Sequence, residues 1–412
     1  MTLPGIGVFG TGQSTLTIVP YLKNEGFRIE AIWGKTTDEA ENVAQVLNIP
    51  FSTCRIDDVL LRKDVDLILV LCPPSHHSQI AVKALGIGKH VAVPPPAGIS
   101  QNETLRMVQA AQYYPSLISI AVYGLRFLPA YVKAKQLLSQ TGEGNLIGQI
   151  TLCDVRVNSP NLIGDDEPYS WACDDHMGGG ILNQFGSHVI DLLQYLTTFK
   201  ACRVHGTLRT LTKTTDKING IRQISSDDLA VFQLECVKDD FPFSKKDNHS
   251  STEEMFVTVT LNGCSQHSDY SQEIILCGTK GHLILRNEDL YFRKKNGADA
   301  PEEAIFIEPN PSKRSDNNNK ISSSDCARSP EMFPKGTSLL FRHLSNTLKS
   351  TFKEQIAEDD QQNTPEENID KHAKSLASFE DGLYVQAVME AIRLSSRQKS
   401  WTKVNVVDDF RE

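Results

Sequence analysis

The 412-residue sequence has no excess of basic residues, no long apolar run and no leader-like N-terminus. Its formal net charge of −9 at pH 7 argues against binding to nucleic acid or to an anionic membrane, because little positive charge is present to neutralise phosphate. No apolar run approaches the roughly 20 residues that a membrane span requires. The first residues, MTLPGIGVFGTG, carry no positively charged region and reach glycines before an apolar core forms. We therefore expect no signal peptide and a cytoplasmic protein.

The nine cysteines lack the spacings that bind metals. They are scattered without a CxxC pair and without a Cys/His ligand pattern, which argues against a zinc site and against a dense disulfide framework. We therefore expect no metal and a reducing compartment. The sequence also contains no internal repeat.

What is present is enough apolar material, 40% of the residues, for two domains. In the first third, short apolar runs alternate with amphipathic stretches, which predicts βαβ units and a parallel sheet. Two of the predicted helices begin with capping boxes, Thr36 with Glu39 and Ser100 with Glu103. The predicted strands are GIGVF, FRIEAIW, DLILVLC, HVAV and LISIAVY.

After residue 126 the pattern changes to longer runs of period two, which predict a mostly antiparallel, open sheet in a second α+β domain over 127–412. A helix around Gly186–Leu196 is expected to pack on this sheet. Two polar segments interrupt the domain: 238–254, predicted as an extended hairpin loop, and 310–331, which has the composition of disorder. Either segment could dock a partner or be a solvated insertion. The predicted strands are GQITLCDVRV, CRVHGTLRTL, DDLAVFQLEC, EMFVTVTL, QEIILCG and GHLILR.

A glycine turn directly after the first strand predicts a dinucleotide site. Gly10 permits a tight turn, Gly12 leaves room for a pyrophosphate, and the following helix offers free amide hydrogens to the anion. Thr15 stands where the strict motif has Gly or Ala. The arrangement is that of a Rossmann domain over residues 1–126, whose turn has the cofactor-binding candidates Gly10, Thr11, Gly12, Gln13 and Ser14.

The end of the second strand, Trp33-Gly34-Lys35-Thr36, indicates which nicotinamide cofactor is bound. An NAD site usually has a carboxylate here to hold the ribose hydroxyls, and none is present. Lys35 can supply charge to a 2′-phosphate and Thr36 a hydroxyl, with Trp33 or the Lys35 stem beside the adenine, so we predict NADP(H). Lys35 as an ordinary solvated lysine is the alternative.

Four further motifs resemble the Gfo/Idh/MocA family of nicotinamide-dependent oxidoreductases along nearly the whole chain. They are VLCPPSHH (70–77), GKHV before residue 92, YGLRFLP (123–129) and GGGILNQFGSHVIDLL (178–193). Segments such as SWACDDHMGGG are similar to the branch of animal proteins with a glucose-fructose oxidoreductase domain. The resemblance implies an N-terminal Rossmann domain, a C-terminal open sheet and a homodimer built on that sheet. It also implies further cofactor contacts at Cys72, Pro73, Pro74, His77, Pro94 and Arg126.

Active members of the family, by the same resemblance, have Glu-Lys-Pro after GKHV and an Asp four residues before a His in the later signature. Here these places hold Pro94, Pro95, Pro96 and Gln184, and only His188 remains. Proline has no ionisable group, so Pro95 cannot polarise a substrate hydroxyl or relay its proton. Gln184 can form hydrogen bonds but cannot titrate.

Two functions therefore stay open. The first is a pseudo-oxidoreductase that holds NADP(H) as a structural part or as a redox signal, with His188 a packed histidine. The second is an active oxidoreductase on a sugar, polyol or similar small molecule, with His188 as the base. Helpers for that base would be Tyr123, His77, Asp174, Asp175 or His176, and the substrate pocket would be formed by Tyr123, Trp171, Asp175 and His188.

Overall fold

A computed structural model describes two compact units. The described residues are 3–160, 162–163, 168–218, 221–238, 253–265, 270–295, 301–309, 330, 332–357 and 375–407. Unit 1 comprises Met1–Phe127 and Phe333–Tyr384, and unit 2 comprises Leu128–Met332 and Val385–Glu412. The sequence analysis placed the first boundary after residue 126, and unit 1 here runs to Phe127 before unit 2 begins. The return of Phe333–Tyr384 to unit 1 differs from the prediction, because Leu340, Phe341 and Leu344 pack into the apolar core of that unit.

The described strands of unit 1 form one parallel sheet of six strands, in the order β3-β2-β1-β4-β5-β6. Its central strands are continuous apolar runs because both faces of the sheet are covered. The strand order reverses between β1 and β4, the point at which doubly wound sheets bind nucleotides. The strands are β1 (Gly5–Phe9), β2 (Arg28–Trp33), β3 (Ser52–Thr53), β4 (Leu67–Val70), β5 (His90–Val93) and β6 (Ser119–Ala121).

Two of the helices between these strands begin at the predicted capping boxes. Thr36 and Ser100 are N-caps whose hydroxyl oxygens accept the amide hydrogens of Glu39 and Glu103, each at 3.3 Å, so both predicted capping boxes are confirmed at the hydroxyl contact. The helices are α1 (Gln13–Asn24), α2 (Thr37–Leu47), α3 (Ile56–Leu60), α4 (His77–Gly86) and α5 (Gln101–Tyr113).

The described strands of unit 2 form a nine-stranded sheet in the order β14-β13-β12-β11-β7-β10-β9-β8-β15. Only the β7–β10 pairing is parallel, so the mostly antiparallel sheet is confirmed. The sequence analysis missed β13, β14 and β15, because they are short or rich in charged residues. The strands are β7 (Ile150–Pro160), β8 (Phe199–Arg209), β9 (Leu229–Lys238), β10 (Glu254–Ser265), β11 (Ser271–Gly278), β12 (Gly281–Arg286), β13 (Asp289–Lys294), β14 (Glu303–Phe306) and β15 (Thr402–Lys403).

Helices cover one face of this sheet. A Cβ at Gly186 would lie 3.2 Å from Leu261 of β10, so the predicted signature helix packs on the sheet. Near the end of the chain, the hydroxyl of Ser395 accepts the amide hydrogen of Gly206 in β8 at 3.0 Å, which fixes the C-terminal part of the last helix to unit 2. The remaining helices are α6 (Pro129–Leu138) and α7 (Ser187–Thr197) of unit 2, α8 (Met332–Ala357), which belongs to unit 1 from Phe333 onward, and α9 (Phe379–Gln398), which begins in unit 1 and ends in unit 2.

Both predicted polar segments lie mainly outside the described residues. Of 238–254 only the ends are described, where the Lys238–Glu253 ion pair of 2.7 Å closes the antiparallel β9–β10 pair. Of 310–331 only residue 330 is described. Within the described parts of the chain, no helix is long and apolar enough to cross a membrane.

Candidate functional site

The glycine turn of unit 1 has one glycine that the fold requires and one that faces open space. Gly10 has φ +133°, and a Cβ there would lie 2.6 Å from the carbonyl of Leu71, so only glycine fits. Gly12 is different, because no described atom lies within 4 Å of the place its Cβ would take. No side chain in the described loop caps α1 at Gly12, so the first amide hydrogens of α1 face this space.

Thr15, the departure from the strict motif, serves the turn itself. It is fully buried, its hydroxyl donates to the carbonyl of Gly10 at 2.9 Å, and its amide donates to Gly12 at 3.0 Å. The side chain is therefore directed into the turn, away from the space at Gly12. The exposed residues Gln13 and Ser14 begin α1 beside that space.

The end of β2 is held by neighbouring segments. The indole nitrogen of Trp33 donates to the carbonyl of Cys54 at 3.0 Å, and its ring stacks on Phe9 with centroids 5.8 Å apart. Gly34 is in tight contact, since a Cβ there would lie 2.9 Å from the Thr11 methyl group. Lys35 is exposed and has no partner among the described residues. The Trp33-Gly34-Lys35 segment thus reaches the same edge of the sheet as the glycine turn.

His77, a predicted cofactor contact, joins two loops at this edge. Its Nε2 lies 2.9 Å from the carbonyl oxygen of Cys72 and its Nδ1 lies 3.0 Å from that of Pro96. Burial lowers the pKa of His77 to about 4, so the ring is neutral at pH 7 and has one hydrogen to donate. The His77 ring therefore connects the loop at Cys72 to the loop at Pro96. The same burial raises the pKa of the Cys72 thiol to about 12, so that thiol is uncharged.

Three prolines connect β5 to the capping box of α5. Pro94 and Pro95 are partly exposed, Pro96 is buried, and the Pro95–Pro96 peptide bond is cis. The side chains at these positions are rings without a donor, an acceptor or a charge. The side chains of this loop therefore offer a ligand no hydrogen bond and no charge. The backbone carbonyl of Pro96 is already in contact with His77.

Tyr123 and Arg126, which follow β6, are buried in unit 1. The Arg126 guanidinium forms an ion pair of 3.4 Å with Asp381 and lies 5.8 Å from the Tyr123 ring centroid. Asp381 also accepts the amide hydrogen of Ser378 at 3.1 Å, while its own amide donates to the Ser378 hydroxyl. This reciprocal cap at the start of α9 was missed, although Ser378-x-x-Asp381 was visible in the sequence.

In unit 2 the signature begins with a glycine turn that needs glycine. Gly178 and Gly180 have φ +92° and +101°, and a Cβ at Gly180 would lie 2.5 Å from a carboxylate oxygen of Asp227. A Cβ at Gly179 would collide with the carbonyl of Ala172, in the short helical turn that begins at Trp171. The three glycines thus let this loop and Asp227 approach the start of the helix.

Asp227 and Arg393 hold the helix start, and sequence analysis missed both. The Asp227 carbonyl accepts from the amide of Ile181 at 2.7 Å, and its carboxylate accepts from that of Leu182 at 2.9 Å. Burial raises the pKa of Asp227, while the Leu182 amide and the nearby Arg393 charge oppose the rise. Arg393 donates to the Asn183 side chain at 2.6 Å. The signal for Asp227 was the acidic pair that precedes an apolar strand.

The signature helix opens with a wider π-helical segment, Leu182–Gly186, and continues as α7. Gln184 lies in the π segment and is partly exposed. Burial lowers the pKa of His188 to about 3, so its imidazole is neutral at pH 7. A neutral imidazole can accept a proton, but the same burial makes the resulting imidazolium costly.

The other predicted pocket residues of unit 2 lie before this helix. Asp175 accepts the hydroxyl hydrogen of Ser225 at 2.9 Å and donates its amide to the same hydroxyl at 3.1 Å. Asp174 caps the short turn at His176, whose side chain is exposed. Trp171 is partly exposed. Within unit 2 the structure therefore joins this loop to the segment before β9, while Tyr123 and the nucleotide candidates belong to unit 1.

The residues at the carboxyl edge of unit 1 fit a nicotinamide dinucleotide. The turn is tight at Gly10 and open at Gly12, and the first turn of α1 offers amide hydrogens to a pyrophosphate. Among the described residues, no group of three or more His, Cys, Asp or Glu side chains is placed to bind a metal ion.

Comparison with known proteins identifies the family. The profile for the GFO_IDH_MocA oxidoreductase family, NAD-binding Rossmann fold, matches residues 5–121, and that for the GFO/IDH/MocA C-terminal domain matches residues 131–284. Glucose-fructose oxidoreductase domain-containing protein 2 of Homo sapiens is 38% identical over 411 residues, which cover 99% of this chain and 95% of the relative.

Two solved structures share the fold. An oxidoreductase domain protein from Kribbella flavida matches with a TM-score of 0.74 and 20% identity, covering 98% of this chain and 100% of its own. A levoglucosan dehydrogenase in complex with NADH and levoglucosan matches with a TM-score of 0.72 and 16% identity, covering 97% and 99%. The resemblance inferred from the motifs is confirmed, and the chain belongs to the Gfo/Idh/MocA family of oxidoreductases.

Proposed function

We propose that this protein binds NADP(H) and is a pseudo-oxidoreductase, which uses the cofactor as a structural part or as a redox signal. The observation that carries the proposal is the loop Pro94–Pro96, where the family resemblance implies the catalytic lysine. A proline ring at Pro95 can neither donate nor accept a proton. When bound, a nicotinamide cofactor supplies a hydride donor or acceptor, and the residues of the chain must manage the accompanying proton.

The other candidate catalytic residues offer little replacement for that lysine. Gln184 is neutral at every pH. His188 is neutral at pH 7, yet the low pKa of its ring makes it a weak base. His77 has its ring nitrogens against two backbone carbonyls. General acid–base catalysis is worth about 10² to 10⁴ in rate, so we expect a poor enzyme at best.

The preference for NADP(H) over NAD(H) is supported by the end of β2. No carboxylate stands at residues 33–36 to hold two ribose hydroxyls, and Lys35 is exposed without a partner among the described residues. The hydroxyl oxygen of Thr36 accepts from Glu39, which leaves its hydrogen free to donate. A cation and a hydroxyl donor suit a 2′-phosphate better than a bare ribose.

An active oxidoreductase is the second candidate, and the neutral state of His188 favours it, because only a neutral imidazole can accept a proton. One experiment separates the two. The purified protein is examined for the absorbance of bound reduced nicotinamide, the released nucleotide is identified, and sugars, polyols and imines are added. We expect NADP(H) to co-purify and no compound to change its oxidation state. Gly12→Val, which fills the open space at the turn, is the control without nucleotide.

Oxidation or reduction of the bound cofactor by any compound in that panel would favour the active enzyme. Absence of nucleotide binding in the parent protein, with the fold intact, would contradict both candidates.

We also propose a homodimer through the outer face of the unit 2 sheet. The in-register strands put Leu152 and Val231 on this face, 39% and 44% exposed, together with Arg156 and Glu235 of opposite charge. Such a mixture of apolar and complementary charged groups suits a second copy of the same face. Light scattering at micromolar concentration should give twice the chain mass, and Val231→Asp should lower it; a monomeric parent would contradict the proposal.

We propose the cytoplasm as the compartment. The support is that the described cysteines are all free thiols, several of them buried with raised pKa values. Fractionation of cells that produce the tagged chain tests this, and recovery in the medium would contradict it.

A further inference from the structure

Two basic residues leave the unit 1 sheet side by side at the end of β2 and β3. The strands are parallel, with Trp33 opposite Thr53, and the amide of Gly34 donates to the Thr53 carbonyl at 3.1 Å. Lys35 and Arg55 each follow two residues after this pair. Both therefore emerge at the carboxyl edge, where the glycine turn also lies.

The backbone before Arg55 is fixed to β2 and α2. The Trp33 indole donates to the carbonyl of Cys54 at 3.0 Å, and the Arg55 amide donates to the Thr53 hydroxyl at 3.1 Å. The hydroxyl of Thr37, the first residue of α2, lies 3.5 Å from the Cys54 sulfur. Arg55 is thus a flexible side chain on a positioned backbone, beside the start of α2.

The guanidinium of Arg55 is available to a ligand. Its side chain is 78% exposed, and its contact with Asp58 is a single long approach of 3.7 Å. The other oxygen of Asp58 accepts the Thr53 hydroxyl hydrogen at 2.9 Å, so this carboxylate is shared. Exposed ion pairs of this kind contribute little and are easily exchanged for a stronger partner.

A single lysine is a weak anchor at this position. Asp38 and Glu39 add negative charge to the first turn of α2, directly after Lys35 and Thr36. A phosphate that binds here carries up to two negative charges, so a second cation is needed to offset both. A guanidinium supplies that cation and also offers paired donors that match phosphate oxygens.

We propose that Arg55 and Lys35 together bind the 2′-phosphate of NADP(H), and that Arg55 sets the preference over NAD(H). This inference rests on the proposed function. It adds a specificity residue that lies outside every nucleotide motif, twenty residues after Lys35.

The test measures nucleotide binding and needs no turnover. NADPH, NADH and adenosine 2′,5′-bisphosphate are titrated into apo protein by calorimetry, with the parent, Arg55→Ala, Arg55→Lys and Arg28→Ala. Arg28 is the matched control, since it is 56% exposed, pairs with Glu30, and lies at the opposite end of β2. We expect Arg55→Ala to weaken the binding of NADPH and of the bisphosphate about 10- to 100-fold and to leave the binding of NADH unchanged.

Arg55→Lys should retain part of the affinity for NADPH, because it keeps the charge but loses the paired donors. Arg28→Ala should retain the full NADPH affinity. The exposed thiol of Cys54 gives a second readout. Its alkylation, followed by mass spectrometry, should be slowed by NADP⁺ in the parent more than in Arg55→Ala.

Two failures are distinguishable. If the folded parent binds neither nucleotide, both the proposed function and this inference are overturned. If the parent prefers NADPH and Arg55→Ala keeps the same NADPH to NADH ratio, the role of Arg55 is overturned while the proposed function stands.

Discussion

The glycine turn at Gly10–Thr15 and the glycine turn at Gly178–Gly180 are built alike but differ in which features of the family site remain beside them. In both, a left-handed glycine lies against a fixed oxygen, and the helix that follows begins at a defined position. At the first turn, the unusual Thr15 only closes the loop, and the space for an anion at Gly12 remains. At the second, the turn is held by Asp227, but the helix behind it has Gln184 where a titrating group is implied. The first turn thus keeps open space beside a helix start, whereas the helix after the second turn has a neutral amide where the family resemblance implies a carboxylate.

The largest expected effect is on stability, and it distinguishes glycines whose Cβ would collide with the backbone or a side chain from a glycine that faces open space. Gly180→Ala and Gly10→Ala should each lower the free energy of unfolding by about 2 to 5 kcal/mol, since both add backbone strain and a collision. Gly12→Ala should change stability little and weaken NADPH binding. Urea unfolding and nucleotide titration of the three variants measure this.

An equal loss of stability in Gly12→Ala and Gly10→Ala would contradict the distinction between a structural glycine and one that faces a ligand. A stable Gly180→Ala protein would contradict the close approach of Asp227.

The pH dependence of stability compares two histidines, one from each unit, whose pKa values lie below the usual range. His77 and His188 have folded pKa values of about 4 and 3, below the unfolded value near 6.5. Below pH 6.5 the unfolded chain therefore binds protons that the folded chain does not, and stability falls as the pH falls toward the folded values. Each histidine should therefore lower the free energy of unfolding by about 2 kcal/mol between pH 7 and pH 5.

The measurement is the difference in unfolding free energy between pH 7 and pH 5. His77→Asn and His188→Asn should each reduce that difference by about 2 kcal/mol. An unchanged difference in either variant would show that the histidine is charged in the folded protein.

A smaller effect tests how Thr15 substitutes for glycine. Thr15→Val keeps a similar shape but removes the buried hydrogen bond to Gly10, which should cost about 1 kcal/mol of stability. NADPH affinity should change little, because the hydroxyl is directed into the turn. A large loss of affinity with unchanged stability would instead make Thr15 a ligand contact.

The smallest expected effect is on turnover. Pro95→Lys with Gln184→Asp restores the implied residue types beside His188, yet we expect steady-state rates on sugars and polyols to stay near background and cofactor binding to survive. A catalytic lysine needs a supporting shell, and Pro94 and Pro96 restrict the backbone on both sides. Robust turnover of the double variant would show that only the proton relay was lost; robust turnover of the parent would overturn the pseudoenzyme.

Local signals predicted the parallel sheet, the glycine turn and both capping boxes, because each depends on residues a few positions apart. The signature helix was also visible as a motif. What holds it was not, since Asp227 reaches Leu182 from 45 positions away and Arg393 reaches Asn183 from 210. The charged strand β13 was hidden for another reason: only Leu290 and Phe292 of its six residues face inward.

The return of Phe333–Tyr384 to unit 1 has a consequence for synthesis on the ribosome. The six strands of the parallel sheet emerge within the first 121 residues, but Leu340, Phe341 and Leu344, which complete one of its apolar cores, follow more than two hundred residues later. In the order of the chain, most of unit 2 therefore comes before the residues that cover this apolar surface of the unit 1 sheet. Truncation after residue 127 would leave that surface exposed permanently, so the two units cannot be separated by a single cut in the chain.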